Sequence, residues 1–255
     1  MPTKRTPIIV GNWKLNKTLD EAVELATAIR NALGGLKDLQ VGIAPTFPVL
    51  SAVAERVSDS AMILAGQNCC EEDWGAYTGE VSVPALKDVG CNAVIVGHSE
   101  RRQLYGETDH GVNAKVKKVL ANEMMPIICI GETLAEREAE RTFEVVERQL
   151  EGALEGLGAD IATQIVIAYE PVWAIGTGLT ATTAQAQEVH GFLRGKLEKL
   201  WGEAGQQVRI QYGGSVKPNN ISGLMAQPDV DGALVGGAAL SAESFIAILN
   251  YDRDV

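Results

Sequence analysis

Eight short, continuously apolar runs alternate with helical stretches along the 255-residue chain. This order predicts an α/β fold, a closed (β/α)8 barrel with a parallel eight-stranded core. The runs are rich in Ile and Val on both alternating faces, as parallel strands buried on two sides require. No low-complexity linker divides the chain, and the length suits one barrel domain spanning residues 1–255. An apolar share of 46% is ample for a single large core. A doubly wound open sheet is the alternative fold.

The first strand is placed at Ile8–Trp13 and ends in Gly11-Asn12-Trp13-Lys14. A helix over Thr18–Leu33 follows, with apolar residues at Leu19, Val23, Leu25, Ala26 and Ile29. Strands at Val41–Ala44 and Ile63–Gln67 lead into a long polar loop, Gln67–Glu80. The fourth strand, Ala93–Gly97, delivers Gly97-His98-Ser99-Glu100, and Val112–Leu120 is helical. The fifth is Pro126–Ile130. The acidic stretch Thr133–Glu151 reads as a solvated helix face, and Thr142–Leu154 as a helical pattern. The sixth strand, Ile165–Tyr169, ends at Glu170 and Pro171. Thr182-Thr183-Ala184-Gln185 reads as a capping box for a helix whose periodic part is Gln187–Leu200. Strand seven, Val208–Tyr212, opens into Gly213-Gly214-Ser215. Strand eight, Gly232–Val235, opens into Gly236-Gly237, before a helix at Ala242–Asn250.

Composition narrows the function. A net charge of −11 argues against a nucleic-acid surface, which requires a basic patch. An anionic substrate must therefore be held by a local positive field. No run approaches 18 apolar residues, so no membrane span is expected. No apolar signal core follows the basic N-terminal residues, and the expected location is cytoplasmic. Cys69, Cys70, Cys91 and Cys129 form no C-x-x-C, and His98, His110 and His190 are scattered. The expectation is buried reduced thiols, no metal and no cofactor.

The apolar loop Val172–Ile175 carries Trp173 and closes on Gly176-Thr177-Gly178. Loops are usually polar because they face water, so this one reads either as a lid that folds over a ligand and excludes solvent or as an apolar surface loop after an ordinary Glu on a buried turn. Gly176–Ala181 also fits G-x-G-x-x-A, but Glu170–Ile175, with a proline, separates the first Gly from its strand, and a dinucleotide fingerprint does not allow that. Barrel active sites lie at the C-terminal ends of the strands. That rim collects Lys14, His98 and Glu170 beside three Gly-rich turns.

At these residues the chain resembles the triosephosphate isomerase family, whose TIM barrel gives the fold its name. The matching motifs are Gly11–Asn16, Gly75–Glu80, Val96–Arg102, Cys129–Thr133, Ala168–Gly178, Tyr212–Val216 and Asp231–Gly237, in the family's order and spanning essentially the whole chain. The resemblance implies cofactor-independent interconversion of dihydroxyacetone phosphate and D-glyceraldehyde 3-phosphate, a step of glycolysis and gluconeogenesis. It implies that Glu170 is the base, that His98 is the electrophile and that Lys14 supplies positive charge. Asn12 is implied as a polar substrate contact. Gly176, Ser215, Gly236 and Gly237 are implied to grip the phosphate, and Glu100 to support Lys14 and His98.

The resemblance further implies a homodimer through the 67–80 loop, with Thr78 supporting the partner's site and Glu80 and Arg101 forming an ion pair at the interface edge. Trp74 and Tyr77 in that loop are costly to leave exposed. Leu179 stands where many members carry Lys, which bears on lid kinetics, and Cys70 and Trp74 match no family position. Two rival functions are a sugar-phosphate aldolase and a non-catalytic scaffold. The first wants a Schiff-base Lys late in a strand or a metal cluster, and the second the loss of Lys14, His98 or Glu170.

Overall fold

The structure, a computed structural model, describes residues 5–36, 38–176 and 179–251. Eight strands form a closed barrel in chain order. They are β1 (Ile8–Asn12), β2 (Gln40–Ala44), β3 (Ile63–Gly66), β4 (Ala93–Val96), β5 (Met125–Ile130), β6 (Val166–Tyr169), β7 (Arg209–Tyr212) and β8 (Gly232–Val235). Every neighbouring pair is parallel. β1 joins β2 from Ile8↔Gln40 to Asn12↔Ala44 and closes the barrel on β8 from Ile8↔Gly232 to Gly11↔Val235. The open-sheet alternative is thereby set aside.

The continuous apolar runs have the expected cause. One alternating set, including Ile8, Val10, Ala65, Ile95, Ile127 and Val166, fills the barrel interior. The other set, including Ile9, Ile43, Val94, Ile128 and Ile167, packs outward against the helices. Below the barrel, Asp231 accepts the Ile210 N–H at 2.8 Å and pairs with Arg5 at 2.5 Å and Arg194 at 2.6 Å, fastening β7 to β8.

The helices are α1 (Leu19–Ala32), α2 (Leu50–Val57), α3 (Val83–Asp88), α4 (Ser99–Tyr105), α5 (Asp109–Ala121), α6 (Leu134–Glu138), α7 (Thr142–Leu154), α8 (Thr183–Trp201), α9 (Ile221–Met225) and α10 (Ala242–Leu249). Strands expected to include Trp13, Gln67 and Gly97 stop one residue earlier. At Gly97 the reason is backbone geometry, because φ of +71° turns the chain out of the sheet. Three helices of five to eight residues (α2, α3 and α9) were absent from the sequence reading, since so few turns carry no readable period. The acidic stretch 133–151 needs correction. It breaks between α6 and α7, and Val145, Val146, Gln149 and Leu150 are buried, so only one side of α7 is solvated.

Candidate active site

Asn12 closes β1 with its side chain buried. Its Oδ1 accepts the Lys14 N–H at 3.0 Å. Lys14 adopts φ of +51°, a left-handed conformation that costs a non-glycine residue about 1–2 kcal/mol. The surroundings hold it there. Gln67 Nε2 donates to the Lys14 carbonyl and to the Ala44 carbonyl, both at 2.8 Å. The Lys14 ammonium pairs with Glu100 Oε1 at 2.6 Å, and its chain runs beside Gly236. Gln67 was missed because it was read as the end of a strand. A polar side chain at the close of an apolar run is the signal that would have found it.

His98 caps α4, with Nδ1 accepting the Glu100 N–H at 3.2 Å, and Nε2 lies 2.9 Å from Glu170 Oε1. Burial disfavours the imidazolium. The Glu170 carboxylate, with Glu100 behind it, favours the charged form and holds the ring's pKa above the ordinary histidine value. The helix start opposes them, because a proton on Nδ1 would face the Glu100 N–H. The tautomer that fits is the neutral ring with its proton on Nε2.

Glu170 extends β6 by one more ladder bond, from its N–H to the Ile130 carbonyl at 2.7 Å. Gly131 permits this approach, since a Cβ there would sit 1.7 Å from the Glu170 carbonyl oxygen. The carboxylate is 1% exposed. Ser99 donates to it twice, from N–H to Oε2 at 2.9 Å and from Oγ to Oε1 at 3.2 Å. Burial pushes the carboxyl up, but His98 and the Ser99 N–H outweigh burial and hold it below the ordinary carboxylate range. Glu170 is therefore ionised at neutral pH and able to accept a proton. Ser99 carried no assigned role in the sequence reading, because its partner lies 71 positions away.

Behind the lid sits Glu132, which is fully buried. Its Oε1 accepts from Trp173 Nε1 at 2.9 Å, Tyr169 Oη at 3.1 Å and Arg137 Nη1 at 3.3 Å, and the Arg137 guanidinium stacks over the Trp173 ring. These contacts anchor the leading turn of the lid, Val172–Ala174. Glu132 follows an apolar strand as Glu170 does, and that signature would have found it. Of the lid itself, Thr177 and Gly178 lie outside the described residues.

Eight of the sequence candidates line one cavity of about 540 Å³: Asn12, Lys14, His98, Glu170, Gly176, Ser215, Gly236 and Gly237. Glu100 is not in its lining and stands behind Lys14. Thr78 is exposed on its loop and is not among the lining residues. Within the chain, Arg101 lies 3.7 Å from Glu107, and no ion pair joins it to Glu80 among the described residues. Lys217, which the sequence reading passed over, also lines the cavity. The four cysteines are free and buried. Burial pushes the Cys69 and Cys91 thiols up to about 12, and burial with the nearby Glu170 charge holds Cys129 protonated. None of these three serves as a nucleophile at neutral pH.

The arrangement can remove a proton from carbon with a buried carboxylate, donate a hydrogen bond to an adjacent oxyanion from a neutral imidazole, and balance negative charge with an ammonium. The sequence model of the triosephosphate isomerase family matches residues 7–252. The triosephosphate isomerase of Moorella thermoacetica is 55% identical over 249 residues, covering 98% of this chain and 100% of its own. That of Chlorobium luteolum is 57% identical over 247 residues, covering 96% and 98% respectively. The crystal structure of triosephosphate isomerase from Bartonella henselae superposes with a TM-score of 0.87 at 40% identity, covering 95% of this chain and 97% of that one. The chain belongs to the triosephosphate isomerase family.

Proposed function

We propose that the cavity performs the family reaction, interconverting dihydroxyacetone phosphate and D-glyceraldehyde 3-phosphate through an enediolate, in one barrel domain spanning 1–255 in the cytoplasm. The observation that carries the reading is the meeting of Glu170, His98 and Lys14 at one cavity floored by glycines. Glu170 takes the proton from the carbon beside the carbonyl. Charge then develops on the carbonyl oxygen, where the His98 Nε2–H and the Lys14 ammonium stabilise it. His98 passes protons between the two oxygens, and Glu170 returns its proton to the neighbouring carbon. Backbone N–H groups at Gly176, Ser215, Gly236 and Gly237 hold the phosphate, and Asn12 orients the substrate. Closure of the lid excludes water from the enediolate and hinders its loss of phosphate. The test is conversion of glyceraldehyde 3-phosphate by the purified chain with no metal or cofactor added. Turnover is expected. A folded chain that binds phosphate without turnover would favour the scaffold reading.

Lys217 adds to this electrostatic design. It is exposed at the cavity, with no carboxylate within 4 Å of its ammonium among the described residues, while Lys14 is already paired with Glu100. On a chain of net charge −11 it draws a phosphate dianion to the mouth. Lys217→Gln is expected to lower kcat/KM about three- to fivefold at low ionic strength, with kcat unchanged. The gap closes near ~1 M salt, where the Debye length is about 3 Å. A difference that persists at high salt would mean that Lys217 acts by contact instead.

The functional unit is a homodimer built through the 67–80 loop. Trp74 is 76% exposed and Tyr77 48% in the single chain, and Leu15, Leu104 and Tyr105 are exposed as well. Surface aromatics and leucines in this number call for a partner. Thr78 is then supplied to the partner's site, and the Glu80–Arg101 pair forms across the interface. Tyr77→Asp is expected to shift the sedimenting species from dimer to monomer and to cut turnover more than about tenfold. A fully active monomer would overturn the Thr78 role.

A further inference from the structure

His190 is a fully buried titratable group that the reaction does not use. It sits on α8 and packs against two tyrosines that the sheet register sets side by side, Tyr169 closing β6 and Tyr212 closing β7. The Tyr169 ring meets it edge-on, with centroids 5.8 Å apart and planes at 83°. The Tyr212 ring is tilted at 36°, with centroids 6.3 Å apart. His190 Nδ1 lies 3.1 Å from the Asp229 carbonyl oxygen, a contact that calls for the proton on Nδ1. Gln187 holds the Asp229 side chain in turn, at 2.7 Å. Burial brings the ring's pKa down to about 4, so the ring is neutral at neutral pH. Its Nε2 has no hydrogen-bond partner among the described residues. The imidazole is thus fixed by one edge, and the rest of it fills the space between α8 and the two tyrosines.

Both tyrosine hydroxyls reach the lid. Tyr169 Oη donates to Glu132 Oε1 at 3.1 Å, and the same oxygen accepts from Trp173 Nε1 at 2.9 Å in the lid's leading turn. Tyr212 Oη lies where the lid meets the turn after β7. A Cβ on Gly214 would sit 2.3 Å from that hydroxyl and 2.9 Å from Pro171 Cγ. The backbone N–H of Ala181, just past the lid's far end, interacts with the same hydroxyl.

We infer that His190 is a positioning residue for the lid: its ring wedges the two tyrosines whose hydroxyls hold the lid's two ends, and so couples one end to the other. The inference rests on the isomerase reading, in which the loop after β6 is a lid. His190 acts only through Tyr169 and Tyr212. The Asp229 bond fixes the plane of the ring, and the ring fixes the two phenols. Without the ring, both phenols gain room to tilt, and the lid's ends lose their common support. A lid that closes less firmly shields the enediolate less well, and more of it loses phosphate.

The test reads inorganic phosphate released per substrate isomerised, in the full-length enzyme. This is a ratio within active molecules, so a smaller folded fraction does not alter it. His190→Asn keeps a donor for the Asp229 carbonyl and removes the wedge. It is expected to raise the ratio about fivefold or more, the scale of a coupling between two sites. His190→Phe keeps a ring and loses the donor, and its ratio is expected to stay within about twofold of the parent's. Parent-like ratios in both variants overturn the inference, as does a rise in the Phe variant alone, which would assign the role to the Asp229 bond. A second measurement needs no variant. Saturating the parent with glycerol 3-phosphate, which occupies the site without reacting, is expected to shift the NMR signals of both the His98 and the His190 rings. A His190 signal that stays in place while that of His98 moves overturns the coupling to the lid. A parent that does not isomerise would sink the lid reading and this inference with it.

Discussion

Glu170→Asp lowers kcat by on the order of 10²-fold with KM little changed. Removing one methylene retreats the carboxylate by about 1 Å or less, and misplacement of that size costs this much when a base must meet a carbon acid in a fixed geometry. The phosphate grip involves other elements, the turns after β7 and β8, so ground-state binding is preserved. The shortened side chain also draws away from Ser99 and His98, which now hold the carboxylate at 2.9–3.2 Å. Steady-state kinetics in both directions, with circular dichroism to check folding, measure the effect. A variant within about threefold of the parent would place the base elsewhere and sink the mechanism.

Lys14→Met lowers kcat/KM by about 10²- to 10⁴-fold, the loss expected when two charged hydrogen bonds, one to the phosphate and one to the developing oxyanion, disappear at about 1.5–3 kcal/mol each. Unlike loss of the base, this loss falls on both KM and kcat, because the ammonium serves ground state and transition state alike. Stability changes little. The Lys14–Glu100 pair is part-exposed, with side-chain exposures of 26% and 43%, and such pairs contribute at most about 1 kcal/mol. A catalytically weakened variant that melts close to the parent is the expected pair of results. Near-parent kcat/KM would show that the positive field comes from elsewhere on the rim.

The barrel was legible because its signal is local. Ile8–Val10, Ile127–Ile130 and Val166–Ala168 are apolar at every position, and only a strand buried on both faces asks for that. The capping box at Thr182 marks where α8 begins, for the same local reason. Short helices such as α3 and α9 escaped because one or two turns contain too few positions for a period. At the site, Glu170 and His98 were visible as polar residues at strand ends followed by Pro171 and a helix start. Lys14 was not distinguishable by spacing from a solvated lysine, and the flanking motif singled it out.

By itself the sequence determined the order of the strands and longer helices, the family to which the chain belongs and the residue types arriving at the rim. These follow from side-chain periodicity and short motifs that each span a few residues. The tertiary structure decided which groups hold them. Ser99 clamps Glu170 from 71 positions away, Glu100 meets Lys14 across 86, Gln67 pins the strained Lys14 backbone across 53, and Glu132 anchors Trp173 across 41. It also decided that Glu170 separates two cavities. Such partnerships depend on barrel closure and on the side to which each loop folds. Both are set by the summed packing of all eight strands, and no single segment encodes them.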